Sequence, residues 1–259
     1  MEPERTLAVV IQVKDYGESD KIVTFFSLSR GRMSGIAKGA KRSLKRFVNK
    51  LELFTLLEIH FTDSRASSLV RLDQADLLEH FPLLRNDYPR YTGGILLCEL
   101  LLHWTRENDP DSDLFTLLKW GLSGLEDPQR SLLWTAVIFQ LKLFTLLGYQ
   151  PQFGGCLGCG GLAPEQTPFR FLSALSGLLC ARCGRGHLPE GTPAGLSISL
   201  STIKLLHKAQ ELELTKLSRL RFSAREEREA ALLLRAYGDT ILQREILTWE
   251  QLLKQTPGR

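Results

Sequence analysis

The chain has 259 residues, 43% of them hydrophobic and 24% charged, which excludes wholesale disorder and lets a core form without disulfides. That length admits one large domain or two to three small ones. The formal net charge of +4 excludes nothing by itself, so the placement of the charges carries the information.

Met1 to Arg5 lacks the basic region of a signal peptide, and the apolar run from Gly94 to Leu102 is broken by Glu99 and too short to span a bilayer. A cytoplasmic protein without membrane contact is expected. Residues 5 to 76 read as five strands. Leu7, Val9, Ile11 and Val13 alternate on one face; Lys21 to Leu28 is rich in β-branched residues and Phe; Arg32 to Lys38 is a weaker strand. In Leu51 to Phe61, Leu57, Ile59 and Phe61 share a face opposite Glu58 and His60, and Ser67 to Leu72 completes the set. Five short strands in about 75 residues predict an OB-fold barrel.

Helical patterns then cover Leu77 to Asn86, Tyr91 to Glu107, Leu114 to Leu125 and Pro128 to Leu147, with Asp127-Pro128 offered as the start of the fourth and Gly148 as its C-terminal glycine. Residues 151 to 195 are rich in Gly, Pro and Cys, with Phe169 to Leu172 and Leu178-Leu179 reading as two short strands joined at Ser176-Gly177. Ser199 to Gln210 and Ser223 to Leu253 return to helix, with turns near Leu214 and Gly238. The expected layout is α+β: an OB-fold over 1–77, a helical domain over 78–150 and 196–259, and an inserted cysteine module over 151–195.

Cys156 and Cys159 pair across two residues, and so do Cys180 and Cys183. In a chain without secretory signals this spacing favours a metal over disulfides. Four thiolates suit a closed, structural tetrahedral zinc, one per chain; iron in the same cage and a redox dithiol are the alternatives. Gly160 and Gly184 after each pair would let the turns close with positive φ and aim amides at the sulfurs. His187 reads as an exposed loop histidine rather than a ligand, and Cys98, within Leu-Leu-Cys-Glu-Leu, as a buried inert thiol.

From Lys21 to Leu51 there is no acidic residue but nine basic ones, while residues 78 to 129 hold 4 basic and 9 acidic. Such density is the electrostatic footprint of phosphate binding, with a solvated charged loop as the bland alternative. Arg30, Arg32, Lys38, Lys41, Arg42, Lys45, Arg46 and Lys50 are the candidate DNA contacts, and Phe25, Phe26 and Phe47 the candidate stacking surfaces. Arg219, Arg221, Arg225, Arg228 and Arg235 are mixed with glutamates and read as a solvated helix face. No phosphate-binding Gly-rich loop, nucleophile elbow or zinc-protease motif is present, so no catalytic residue is named.

Several stretches, in order along the chain, resemble the bacterial RecO family of DNA repair proteins: Tyr16-Gly-Glu-Ser-Asp-Lys-Ile-Val, Gly31 with Ala37-Lys-Gly-Ala-Lys-Arg, Leu146-Leu-Gly-Tyr-Gln-Pro151, and the two cysteine pairs. The resemblance implies an OB-fold, a helical domain and a zinc module. It also implies nucleoid-associated binding of single- and double-stranded DNA and annealing of complementary strands. The implied partners are RecR, the acidic C-terminal tail of single-strand-binding protein (SSB) and in many bacteria RecF, together helping to load RecA. Arg130 and Lys142, flanking an apolar helix, would be rim residues for that tail. A zinc-containing adaptor that binds only proteins and a zinc-scaffolded enzyme are the competing readings.

Overall fold

A computed structural model describes residues 3–43, 45–64, 67–185 and 195–256. The chain divides into two compact units, Met1–Asp127 and Pro128–Arg259.

The first unit opens with β1 (Glu4–Tyr16), β2 (Asp20–Ser27), β3 (Gly31–Ala37), β4 (Leu56–Thr62) and β5 (Val70–Glu79). They close into a barrel in the order β1-β2-β3-β5-β4, the OB-fold expected from the strand count. Alternation decides which side chains fill it: Ala8, Val10, Val23, Phe25, Met33, Leu57, Ile59, Phe61, Leu72 and Ala75 make one buried cluster. Phe47 and Leu51 plug the same cluster from the β3–β4 connection. Closure is uneven. The β2–β3 register runs through seven residue pairs, whereas β3 and β5 meet in parallel at only Gly35–Val70 and Ile36–Arg71.

The unit continues with α1 (Pro82–Asn86), α2 (Tyr88–Trp104) and α3 (Ser112–Glu126). These helices fall in the same compact unit as the barrel, whose last strand ends at Glu79. Val9, Phe26 and Phe54 are fully buried but lie outside the barrel-interior cluster. Phe54 meets the Tyr91 ring of α2 edge-on at 5.5 Å. The start of α1 and the end of α3 find side-chain partners: Glu126 accepts from the Leu83 and Leu84 amides at 3.0 and 3.1 Å, and Arg90 donates to the Leu125 and Asp127 carbonyls.

Gly31 holds the β2–β3 turn against the α2–α3 connection. Its φ is +62°, and a Cβ there would lie 2.0 Å from the Asp109 carbonyl oxygen. Gly31→Ala is expected to destabilise the unit by on the order of 3 kcal/mol, read as a lowered urea midpoint.

Several predicted boundaries shift. Residues 77 to 79 extend β5 rather than begin a helix, and Leu51 to Thr55 precede β4 rather than join it. Asp127 is the C-cap of α3; the next helix starts from Ser131, whose hydroxyl accepts from the Trp134 amide at 3.2 Å.

The second unit contains α4 (Leu132–Leu146), β6 (Gln152–Cys156), β7 (Phe169–Leu172), β8 (Gly177–Cys180), β9 (Leu196–Ile198), α5 (Leu200–Glu211), α6 (Ala224–Leu242) and α7 (Leu247–Gln255). Gly148 has φ +79°, as expected after a helix end. Gly238 lies inside α6, and the break comes at Gln243, which takes the left-handed conformation instead. α4 is buried from Leu133 through Leu141, and its Gln140 bridges two neighbours, donating to the Leu234 carbonyl at 3.0 Å and accepting from Trp249 Nε1 at 2.6 Å. The four strands form one sheet, β6-β8-β7-β9, of which the sequence pattern gives only β7 and β8. This sheet packs with the helices of its unit through a row of rings. Phe144 meets Tyr237 at 5.3 Å, Tyr237 meets Phe171 at 5.5 Å, and Phe171 meets Phe153 at 5.7 Å. Among the described residues no helix is long and apolar enough to cross a membrane.

Candidate metal centre and nucleic-acid interface

The parallel pairing of β6 with β8 brings the two cysteine pairs together. Cys156 ends β6 and Cys180 ends β8, so Cys159 and Cys183 fall in the turns that follow. The four Sγ atoms lie within 4.8 Å of one another, and Cys159 and Cys180 are 3.9 Å apart. A tetrahedral metal with bonds of about 2.3 Å needs sulfur–sulfur edges of roughly 3.8 Å. The donor set therefore fits a thiolate-bound metal ion.

Electrostatics points the same way. Burial raises the Cys156 thiol, but amides of Cys180, Gly158 and Cys159 aimed at its sulfur pull it down to about 6. Cys183 is pushed up to about 12 by its hydrogen bond with Cys180, by burial and by the neighbouring sulfurs. Four sulfurs this close cannot all ionise without a cation between them. Gln166 Nε2 donates to Cys159 at 3.4 Å, and Arg182, raised by its bonds to Cys159 and Cys183, adds a positive charge at the rim. Gly160 takes the expected positive φ of +72°, but Gly184 sits in the short 3-10 turn Cys183–Arg185, so only the first knuckle closes through a left-handed glycine. His187 lies outside the described residues. Cys98 is buried, and burial pushes its thiol far above the ordinary range, as an inert core thiol requires.

The basic segment is held at both ends. Gly39, with φ +68°, donates to Asp20 at 2.8 Å; Lys41 donates its amide to the Ser19 carbonyl at 2.9 Å; Phe47 and Leu51 enter the barrel core. The Asp20 carboxyl is lowered first by the Gly39 amide, then by Ser19 and the charges of Lys38 and Lys41. Between these anchors Lys38, Lys41, Arg42, Lys45 and Arg46 are exposed. Arg42 faces Glu18 at 3.8 Å with both side chains largely in water, which leaves its charge available. Lys41 pairs with Asp15 at 3.1 Å, and Arg46 lies over the Phe47 ring at 5.1 Å.

The other three candidates have intramolecular work. Arg30 binds Glu4 and Asp63, Arg32 donates to the Leu102 carbonyl at 3.1 Å, and Lys50 donates to the Ala75 carbonyl at 2.6 Å. Phe25, Phe26 and Phe47 are core residues, 0%, 0% and 3% exposed, and offer no stacking surface.

Against these features stand the comparisons with known proteins. Residues 1–81 match the family model described as Recombination protein O N terminal, and residues 85–250 match the one described as Recombination protein O C terminal. The chain belongs to the RecO family. RecO relatives named "DNA repair protein RecO" are similar over most of their length. That of Syntrophobacter fumaroxidans is 34% identical over 86% of this chain and 86% of its own. That of Syntrophus aciditrophicus is 32% identical over 93% and 92%, and that of Symbiobacterium thermophilum 30% over 88% and 88%. RecO membership gives the chain a role in DNA repair and recombination.

The suggested rim pair fares differently from the basic loop. Lys142 donates to the carbonyls of Gln210 and Leu212 at 2.9 and 2.5 Å, closing the C-terminal end of α5, and burial lowers its ammonium. Arg130 lies over the Trp134 ring at 5.6 Å. Twelve residues of largely helical chain put the two about 18 Å apart, and the apolar side chains between them are core.

Proposed function

We propose that the chain is a recombination mediator without catalytic residues. It binds single- and double-stranded DNA and anneals complementary strands. With RecR, the SSB tail and RecF as partners, it would help load RecA onto SSB-coated DNA. The observation that carries this reading is the loop between β3 and β4, whose five exposed cations stand on an OB-fold with no acid from Lys38 to Leu51. Cations so placed neutralise phosphates on both strands, and lowered repulsion lets complementary strands pair without nucleotide hydrolysis. The lack of a base-reading pattern in the loop supports sequence-independent binding.

The same reading assigns zinc to the four cysteines. Thiolate sulfur and a tetrahedral edge near 3.8 Å suit zinc, and four protein ligands leave no open position for a reacting water. The zinc then braces β6 against β8 rather than performing chemistry.

Annealing of complementary labelled oligonucleotides tests the proposal. Added protein should accelerate pairing without nucleotide, and the acceleration should fall steeply as salt rises. No DNA binding at low salt would leave the protein-only adaptor as the better reading.

A further inference from the structure

The outer face of the barrel divides into a covered half and an open half. Directly opposed residues of antiparallel strands share a face. Val9 opposes Phe26, and both are fully buried on the covered half. Farther along the same face Gln12 opposes Thr24, Lys14 opposes Ile22 and Tyr16 opposes Asp20. On the third strand Ser34 opposes Thr24 and Ile36 opposes Ile22. Thr24 and Ser34 hydrogen-bond to each other at 3.0 Å, which confirms that their side chains meet.

Tyr16 is 54% exposed at the end of this open half. Ile22, diagonal to it, and Ile36 beside Ile22 are only half-buried. Lys14 and Lys38 are exposed at the two flanks. The acids nearby are turned to other work. Asp20 accepts from Ser19 Oγ and the Gly39 amide, each at 2.8 Å, Asp15 projects to the opposite face and pairs with Lys41, and Glu18 at the hairpin tip faces Arg42. An aromatic ring and two branched apolar side chains bordered by lysines are therefore left open to water, continuous with the loop that carries Lys41 and Arg42.

We propose that this face is a stacking platform for the unpaired bases of single-stranded DNA, with Tyr16 as the residue that stacks. It rests on the reading that the basic loop binds DNA, and it adds a preference that cations alone cannot create. Phosphates of either form satisfy the loop, but only a single strand can lay a base on a ring, because duplex bases are already stacked. Successive side chains on one face of a strand are about 7 Å apart, so Lys14 lies within reach of the phosphate adjoining a base on Tyr16. The partner is fixed by the pairing of an apolar floor with a cationic border, which suits a polyanion with exposed π-faces.

The test is fluorescence anisotropy of the full-length protein with a labelled oligo(dT) and with a labelled duplex, at two salt concentrations. Tyr16→Ala should weaken single-strand binding roughly 5- to 100-fold. It should leave duplex affinity within about twofold and the salt slope unchanged, since no charge is removed. Tyr16→Phe keeps the ring and should bind like the wild type. Equal single-strand affinity in wild type and Tyr16→Ala would overturn the platform while leaving the basic loop standing. So would an equal loss on both DNAs, or a Phe variant as weak as the Ala variant. Wild-type protein that binds neither DNA would overturn the platform and the DNA-binding reading together.

Discussion

Replacing Lys41, Arg42, Lys45 and Arg46 together by alanine is expected to lower affinity for DNA by on the order of 100-fold at about 0.1 M salt. Each phosphate contact adds about 0.7 to the salt exponent for single strands and about 0.9 for duplex. Four lost contacts should therefore flatten the log–log slope by about 3 on single strands and by 3 to 4 on duplex. The variant should fold, because the loop is anchored by Phe47 and Leu51 in the barrel core and by the Gly39 amide on Asp20, none of which is altered. Lys41 also donates to the Gly17 carbonyl at 3.1 Å, an exposed bond worth little. A titration at several salt concentrations, with circular dichroism as the control for folding, measures both quantities. An unchanged slope in a folded variant would remove the loop from the DNA interface.

Chelation of the metal should produce the largest loss of stability. A site holding free metal at 1,000 times its dissociation constant contributes about 4 kcal/mol of folding free energy. Removing it should lower the melting temperature of the second unit by roughly 15 °C. Elemental analysis should find one zinc per chain, and Cys180→Ser should reproduce the loss without chelator. The effect should not stop at the cysteines. The sheet they brace packs with α4 and α6 through Phe153, Phe171, Tyr237 and Phe144, so amide protection should fall in those helices as well as in β6 and β8. Protein lacking metal and melting unchanged would reject this account.

The sequence made the barrel legible because its signals are local. Alternation along β1 and β4 and the cluster of β-branched residues in β2 needed no tertiary knowledge. The cysteine spacing was equally local, and the geometry then supplied what spacing cannot, a parallel β6–β8 pair that brings 156–159 to 180–183. β6 escaped because Gly154 and Gly155 interrupt its pattern, and β9 because the alternation of Leu196, Ser197 and Ile198 spans only three residues; sheet partners impose those strands. The start of α4 was misplaced because Asp-Pro and Ser-Leu both satisfy N-terminal rules, and only the hydrogen bond from Trp134 to Ser131 decides between them. Among the basic residues, type and density gave the region but not the division of labour. Nothing in the one-letter string separates Lys50, pinned on a β5 carbonyl, from Lys45 in water. The phenylalanines misled for a related reason, since Phe25 and Phe26 alternate into two different buried faces. Tyr16 was hidden because the apolar alternation along β1 ends at Val13, while the strand itself runs on to Tyr16.

The contrast between the barrel's seams has a consequence for how it yields. Every neighbouring pair but one is joined along a long antiparallel register, and the exception, β3 with β5, is fastened at two positions. Local opening follows the path that sacrifices the fewest bonds. The barrel is thus a curled ribbon with a short clasp. Undoing the clasp leaves the β1–β2–β3 meander and the β4–β5 hairpin intact, so the first unit can gape and close again without its strands having to find their register anew.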